Sequence, residues 1–279
     1  MSFSTELKEE ISKLDNLSNK EAVKYELIGY LISSNIFEEK NKIKFSTENE
    51  YNINRFSRLL NNMEIYNYGI AVQGNLFVIT VNKCILEKIE TIENLNAEQI
   101  KWLIRGTYLG SGSINNPEKK YHVEIGISKK SDAEIIINYL KKYDIKSNLT
   151  EKNGEYAIYL KDGEEISKFL ALIGANKAVL KFEEIRVQRE MNNKINRLVN
   201  CKTANLNKVL NASIEQIEAI KTLKQNGDFA KLDENLKELA EIRLEHPEMS
   251  LEELGKLLKK PIGKSGVNYR IKKIIELSR

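Results

Sequence analysis

Two glycines 77 positions apart, Gly29 and Gly106, each stand near the end of a helix-like segment, and the same order of elements follows each. Ser18 with Glu21 reads as a capping box opening the first segment, VKYELIGYLIS, because hydroxyl and carboxylate can each satisfy one free backbone N–H. Asn96 with Gln99 opens the second, IKWLIRGTYLG. IFEEKNKIKFS (a hairpin), the helical NINRFSRLLNNM and a hairpin turning at Gly74-Asn75 into LFVITV follow the first. YHVEIGIS, the helical DAEIIINYLKKY and a hairpin turning at Asn153-Gly154 into YAIYLK follow the second. Gly74 and Gly154 are 80 apart, the drift falling in the longer loop NNPEKK. A chain that writes αββαββα twice is expected to be α+β, a duplicated saddle in which two glycine-bearing helices pack closely because glycine presents no Cβ.

From Gly174 onward strand signals cease. Helical periodicity predicts helices at 183–200 and 203–224, a loop at QNGDF, then helices at 233–245, 250–258 and 265–277. His246-Pro247 separates two of these, and Ser250 with Glu253 caps the next. The expected domains are 1–174, a basic helical linker at 175–228, and 229–279.

Several classes are disfavoured. Glu6, Glu9 and Glu10 occupy the place where a leader peptide needs an apolar core, and no apolar run approaches the ~18–20 residues of a membrane span. A cytoplasmic protein without membrane contact is expected. Cys84, Cys201, His122 and His246 have no metal-ligand spacing, so neither a metal nor a cofactor is expected, and the cysteines read as reduced thiols. No small-molecule substrate is evident.

The net charge of +4 is too small to imply nucleic acid, but its distribution is uneven. Residues 256–279 hold eight Lys or Arg against one acid, Glu276. Within the last helix Val267, Ile271, Ile274 and Ile275 form an apolar stripe, while Ser265, Tyr269, Lys272 and Lys273 lie opposite, flanked by Asn268 and Arg270. Lys264 and Ser265 stand at its N-terminus, where free backbone N–H groups favour phosphate. These residues are the expected contacts of a helix-turn-helix with double-stranded DNA; a basic three-helix bundle that binds protein is the other reading. The connection KKPIGK is longer than the usual 3–4-residue turn.

A second face lies on the linker. Val187, Met191, Ile195, Leu198 and Val199 share one side of a helix, and Arg186, Arg189, Asn193, Asn196, Arg197 and Asn200 the other. Arg and Asn present donors that suit phosphates and base edges, or they clamp a neighbouring domain. Lys42, Lys44, Lys146, Lys152 and Lys161 either line a concave DNA-facing sheet or are solvated strand lysines, since Glu124, Glu151 and Glu155 lie among them.

The stretches MSFSTELKEEI, RGTYLGSGSINNPEKKYHVEI, INRLVNCKTANLNK and LAEIRLEHPEMSLEELGKLLKKPIGKSGVNYRIKKI resemble the WhiA family of bacterial regulators over nearly the whole chain. The resemblance implies an N-terminal domain like LAGLIDADG homing endonucleases, a C-terminal helix-turn-helix, and roles in transcription regulation, cell division, chromosome segregation or sporulation. Aligning the glycines puts the nuclease's two metal-binding acids on Ser34 and Ser111, and neither 32–37 nor 107–114 contains Asp or Glu. Mg²⁺ needs carboxylates that these segments lack, so no catalytic activity is expected. The expected protein is a nucleoid-associated, sequence-specific DNA-binding regulator with a transcription or cell-division protein as a further partner. The alternative is an interaction scaffold whose saddle binds protein.

Overall fold

In the computed structural model, which describes residues 2–39, 41–82, 92–152 and 154–279 and only the main chain of Lys152, the repeat folds as two copies of one sheet topology. Helix α1 (Phe3–Ser12) comes first, capped by Ser2, which accepts the Thr5 amide at 3.1 Å. Asn19, one residue past the expected Ser18, caps α2 (Lys20–Leu31) by accepting the Ala22 amide at 3.1 Å. Asn and Ser cap equally well, so residue type could not separate these neighbours. Strands β1 (Ile36–Glu39) and β2 (Lys42–Thr47), helix α3 (Glu50–Asn62), and strands β3 (Tyr68–Gln73) and β4 (Leu76–Asn82) follow, the strands in antiparallel order β1-β2-β4-β3.

The second copy opens with α4 (Ala97–Ser111), capped by the expected Asn96–Gln99 box. Strands β5 (Ser113–Ile114) and β6 (Val123–Ile127), helix α5 (Lys130–Lys142), and strands β7 (Asn148–Lys152) and β8 (Glu155–Leu160) repeat the order as β5-β6-β8-β7, and α6 (Gly163–Leu172) closes it. The helix that would close the first copy falls on 83–91, outside the described residues, as do Cys84 and Asn153. Gly74 and Gly154 take φ of 61° and 80°, the left-handed backbone that two-residue hairpins require.

Helices α2 and α4 cross where their glycines meet. A Cβ on Gly29 would lie 2.5 Å from the Thr107 amide nitrogen, and one on Gly106 would lie 2.8 Å from the Glu26 carbonyl carbon. Both are far inside van der Waals contact, so only glycine allows this crossing. Around it, inward strand residues Ile43, Phe45, Ile79 and Val81 are buried, and the rings of Tyr30, Phe45 and Phe56 pack with centroids 4.9–5.2 Å apart. An ion pair lies inside this core: Arg55 donates to both Glu26 carboxylate oxygens at 2.7 and 2.9 Å, and neither side chain of the pair is exposed.

The helices expected at 183–200 and 203–224 are one continuous helix, α7 (Asn176–Gln225). The junction NCKT contains neither Pro nor Gly, so nothing breaks the backbone there. The Glu10 carboxylate accepts the Lys177 and Ala178 amides at 2.7 and 3.0 Å, satisfying two of the free donors at its start. The chain forms two compact units, Met1–Glu190 and Met191–Arg279, and α7 begins in the first and ends in the second. In the second unit Ile220 and Leu223 of α7 share a core with α8 (Glu234–Glu245), α9 (Leu251–Leu257) and α10 (Lys264–Leu277). Among the described residues, no helix is long and apolar enough to cross a membrane.

Candidate nucleic-acid interface

Helix α10 buries Val267, Ile271 and Ile274 and leaves Ser265, Asn268, Tyr269, Lys272 and Lys273 exposed. The burial follows the three-and-four spacing that the sequence gives. Tyr269 is 70% exposed, which leaves its ring free to contact a partner rather than the core. Its N-cap, Gly263, makes no side-chain cap, so the first-turn N–H groups beside Lys264 and Ser265 are met by no capping side chain.

The approach of α9 to α10 explains the long connection. Ser250 and Glu253 form the expected box at the start of α9. The Ile262 amide returns to the Gly255 carbonyl at 3.1 Å, and the Lys259 amide donates to the Glu238 carboxylate at 2.6 Å. A Cβ on Gly255 would lie 3.0 Å from Val267, so glycine lets the connection fold back over α9. Arg243, whose place in the module was not legible in the sequence, is buried and donates to the Met249 carbonyl at 2.7 Å, fixing the turn that follows His246-Pro247. Burial lowers its pKa from the ordinary arginine value.

The local charge of 256–279 is not all available. Lys256 pairs with Glu252 at 3.3 Å and Lys273 lies 3.8 Å from Asp233. Arg270 is half-buried and, with Lys259 and Lys260, lines a groove of about 430 Å³ whose other wall carries Glu238, Glu241 and Glu245 of α8. Lys264 and Lys272 are exposed and have no ion pair among the described residues. The outward positive charge of α10 therefore rests chiefly on these two lysines.

The Arg/Asn face of α7 divides. Arg186 pairs with Glu183 at 2.7 Å; Arg189 donates to the Pro117 carbonyl at 2.6 Å and lies over the Tyr121 ring at 4.3 Å. Both are thus engaged within the first unit. Asn193, Asn196, Arg197 and Asn200 are exposed. So is the apolar stripe on the other side of the helix: Val187, Met191, Ile195, Leu198 and Val199 are each between 52% and 58% exposed. Amphipathic spacing produces a buried face only where another element covers it, and among the described residues nothing covers this one.

In the saddle, Ser34 and Ser111 do come together. The Gly126 carbonyl accepts the Ser34 amide at 3.0 Å and the Ser111 hydroxyl at 2.5 Å. These donors are neutral, and among the described residues no cluster of three or more His, Cys, Asp or Glu could hold a metal. The residues present do not fit the Mg²⁺ that a nuclease of this fold would need. The saddle lysines are mixed in state: Lys44 is ion-paired to Glu39, Lys161 lies over the Tyr159 ring at 4.5 Å, and Lys42 and Lys146 are exposed. The Lys152 side chain is outside what is described.

Residues 195–278 match the WhiA C-terminal HTH domain, and residues 100–192 match the WhiA LAGLIDADG-like domain. The chain is 34% identical to proteins of Clostridium tetani and Clostridium acetobutylicum, each named "Probable cell division protein WhiA", over all of this chain and 97% and 98% of theirs. It is similar to the crystal structure of full-length DUF199/WhiA from Thermatoga maritima, with a TM-score of 0.62, 28% identity, and coverage of 100% of this chain and 98% of that one. The separate structure of the N-terminal LAGLIDADG domain of DUF199/WhiA matches 62% of this chain and 93% of its own length, with a TM-score of 0.52 and 25% identity. An α+β saddle in two copies, followed by a helical helix-turn-helix unit and matched by both domain profiles and by full-length relatives, establishes that this chain belongs to the WhiA family.

Proposed function

We propose that the chain is a sequence-specific DNA-binding regulator without catalytic activity, acting in cell division and in the transcription that supports it. The observation that carries this reading is α10: an uncapped helix N-terminus with Ser265, Asn268, Tyr269 and Lys272 exposed above a buried Val267–Ile271–Ile274 seam. A recognition helix enters the major groove with its N-terminal residues at the base edges and free N–H groups near phosphate. Asn268 and Lys272 are the side chains suited to base edges; Lys264, Ser265 and Lys273 are suited to phosphates. Arg270, facing the α8 acids, is best placed to orient the helix. Relatives named as cell division proteins support the cellular role, and chromosome segregation or sporulation would follow from the genes or sites bound.

Exposed Met191, Ile195 and Leu198 favour a second reading, a scaffold on the nucleoid that recruits a protein partner. The two differ in specificity. Genome-wide mapping of bound sites, followed by affinity on a mapped and a scrambled duplex at fixed salt, decides between them. A regulator prefers its mapped site by about 10³-fold or more; near-equal affinities leave the scaffold.

A further inference from the structure

Lys8 belongs to helix α1. It lies in the wall of a cavity of about 580 Å³ with Thr5, Asn35, Phe37, Ser46 and Leu76, within the range of sites that hold small organic ligands. Among the described residues no carboxylate or carbonyl bonds its ammonium, and burial alone brings its pKa down from 10.5 to about 8. Lys8 is half-buried; a cation partly withdrawn from water without a counter-charge is unfavourable, and an anion entering the cavity relieves that cost. Glu48, the one acid among the described residues of that wall, is exposed and makes no ion pair with Lys8.

The rest of the lining narrows the anion. The Ser46 hydroxyl makes no hydrogen bond among the described residues, so it is free to donate to a phosphate oxygen in the cavity. Phe37 is 58% and Leu76 39% exposed, giving an aromatic ring and an aliphatic wall at the same cavity. A ring beside a cationic phosphate site is the combination that binds a nucleotide, by stacking and by charge-assisted hydrogen bonds. We propose that this cavity binds a nucleoside phosphate unit, with its phosphate on Lys8 and Ser46 and its base against Phe37. Such a unit comes either from a free nucleotide or from a DNA strand on the saddle. The inference is independent of how α10 reads DNA.

The test is NMR of the full-length protein carrying ¹³C-labelled lysine Cε, with Lys8 assigned by Lys8→Gln. Inorganic pyrophosphate, ADP and a random-sequence duplex are titrated in turn. In the free protein the Lys8 signal should titrate at about 8, below the ordinary lysine range. ADP should raise that midpoint by one unit or more, and Lys8→Gln should weaken ADP and pyrophosphate about tenfold or more. Phe37→Ala should weaken ADP about tenfold and leave pyrophosphate unchanged. If the duplex moves the Lys8 signal and ADP does not, the proposal stands with DNA as the source. Wild-type Lys8 unmoved by all three probes overturns it without recourse to any variant. Equal weakening of ADP and pyrophosphate by Phe37→Ala overturns the placement of the base.

Discussion

The Ser34 amide and the Ser111 hydroxyl both donate to the carbonyl oxygen of Gly126, at 3.0 and 2.5 Å, so the two positions aligned with a nuclease's metal-binding acids are joined by a neutral hydrogen-bonded bridge. The bridge ties the ends of α2 and α4 to β6 and leaves no carboxylate for a divalent cation. Purified protein incubated with its bound DNA and Mg²⁺ or Mn²⁺ is expected to leave both strands intact. Ser111→Ala should cost about 0.5–1.5 kcal/mol in a urea melt, the net worth of one hydrogen bond. Site-specific nicking that disappears in the Ser34→Ala/Ser111→Ala variant would contradict this.

The glycine crossing makes a sharper stability prediction. Gly106→Ala and Gly29→Ala each force a methyl group into the main chain of the partner helix, and each should lower stability by about 1–3 kcal/mol or more. Gly69→Ala is the control: a Cβ there meets nothing within 4 Å, and its effect should stay within about 0.5 kcal/mol. Equal melting temperatures for the Gly106 and Gly69 variants would refute the close crossing.

Arg55 should be the most sensitive charge in the saddle. It donates to Glu26 and also to the Leu14 carbonyl at 2.7 Å, while Arg105 lies 3.8 Å from the same carboxylate. Arg55→Met strands the buried Glu26 carboxylate and should cost about 3–5 kcal/mol. A loss below about 1 kcal/mol by chemical denaturation would mean that Arg105 replaces it.

How far these features were legible in the sequence depends on the range of the signal. The doubled order of elements, the Gly74 and Gly154 turns, the Asn96 box and the α10 stripe follow from local spacing and appear as expected. What failed depended on neighbours that spacing does not name. The stripe from Val187 to Val199 has helical periodicity and yet stays exposed; the two readings of Arg189, DNA contact or clamp, could be separated only once Pro117 and Tyr121 were seen to hold it. The Glu26–Arg55 pair joins residues 29 positions apart on two helices, a match no local pattern encodes. Lys8 and its cavity left no signal in sequence, because an unpaired lysine looks like any other until the surrounding walls are in place.

The divided α7 face predicts divided phenotypes. Arg189→Ala loses a hydrogen bond and a cation–π contact and should destabilise the first unit by about 1–2 kcal/mol. Replacing exposed Asn193, Asn196, Arg197 and Asn200 together should leave melting within about 1 °C while weakening DNA or partner binding. If the fourfold variant binds DNA and partners as the parent does, this face has no role in recognition.

Reading of DNA by α10 underlies the proposed function and can be measured directly. Binding of the full-length protein is measured on a mapped site and on a scrambled duplex across a salt titration, with thermal melting of every variant. Lys273→Ala, already near Asp233, should weaken both duplexes alike and reduce the salt slope by at most about one. Lys272→Ala or Asn268→Ala should cost about 1–3 kcal/mol on the mapped site and less on the scrambled one. Ile271→Ala should instead act through folding, at about 2–5 kcal/mol, because its side chain is buried. The decisive variant removes Tyr269, Lys272 and Lys273 together. The expected result is a folded protein that no longer distinguishes the two duplexes; unchanged affinity on both would exclude α10 as the reader and place DNA reading elsewhere in the chain.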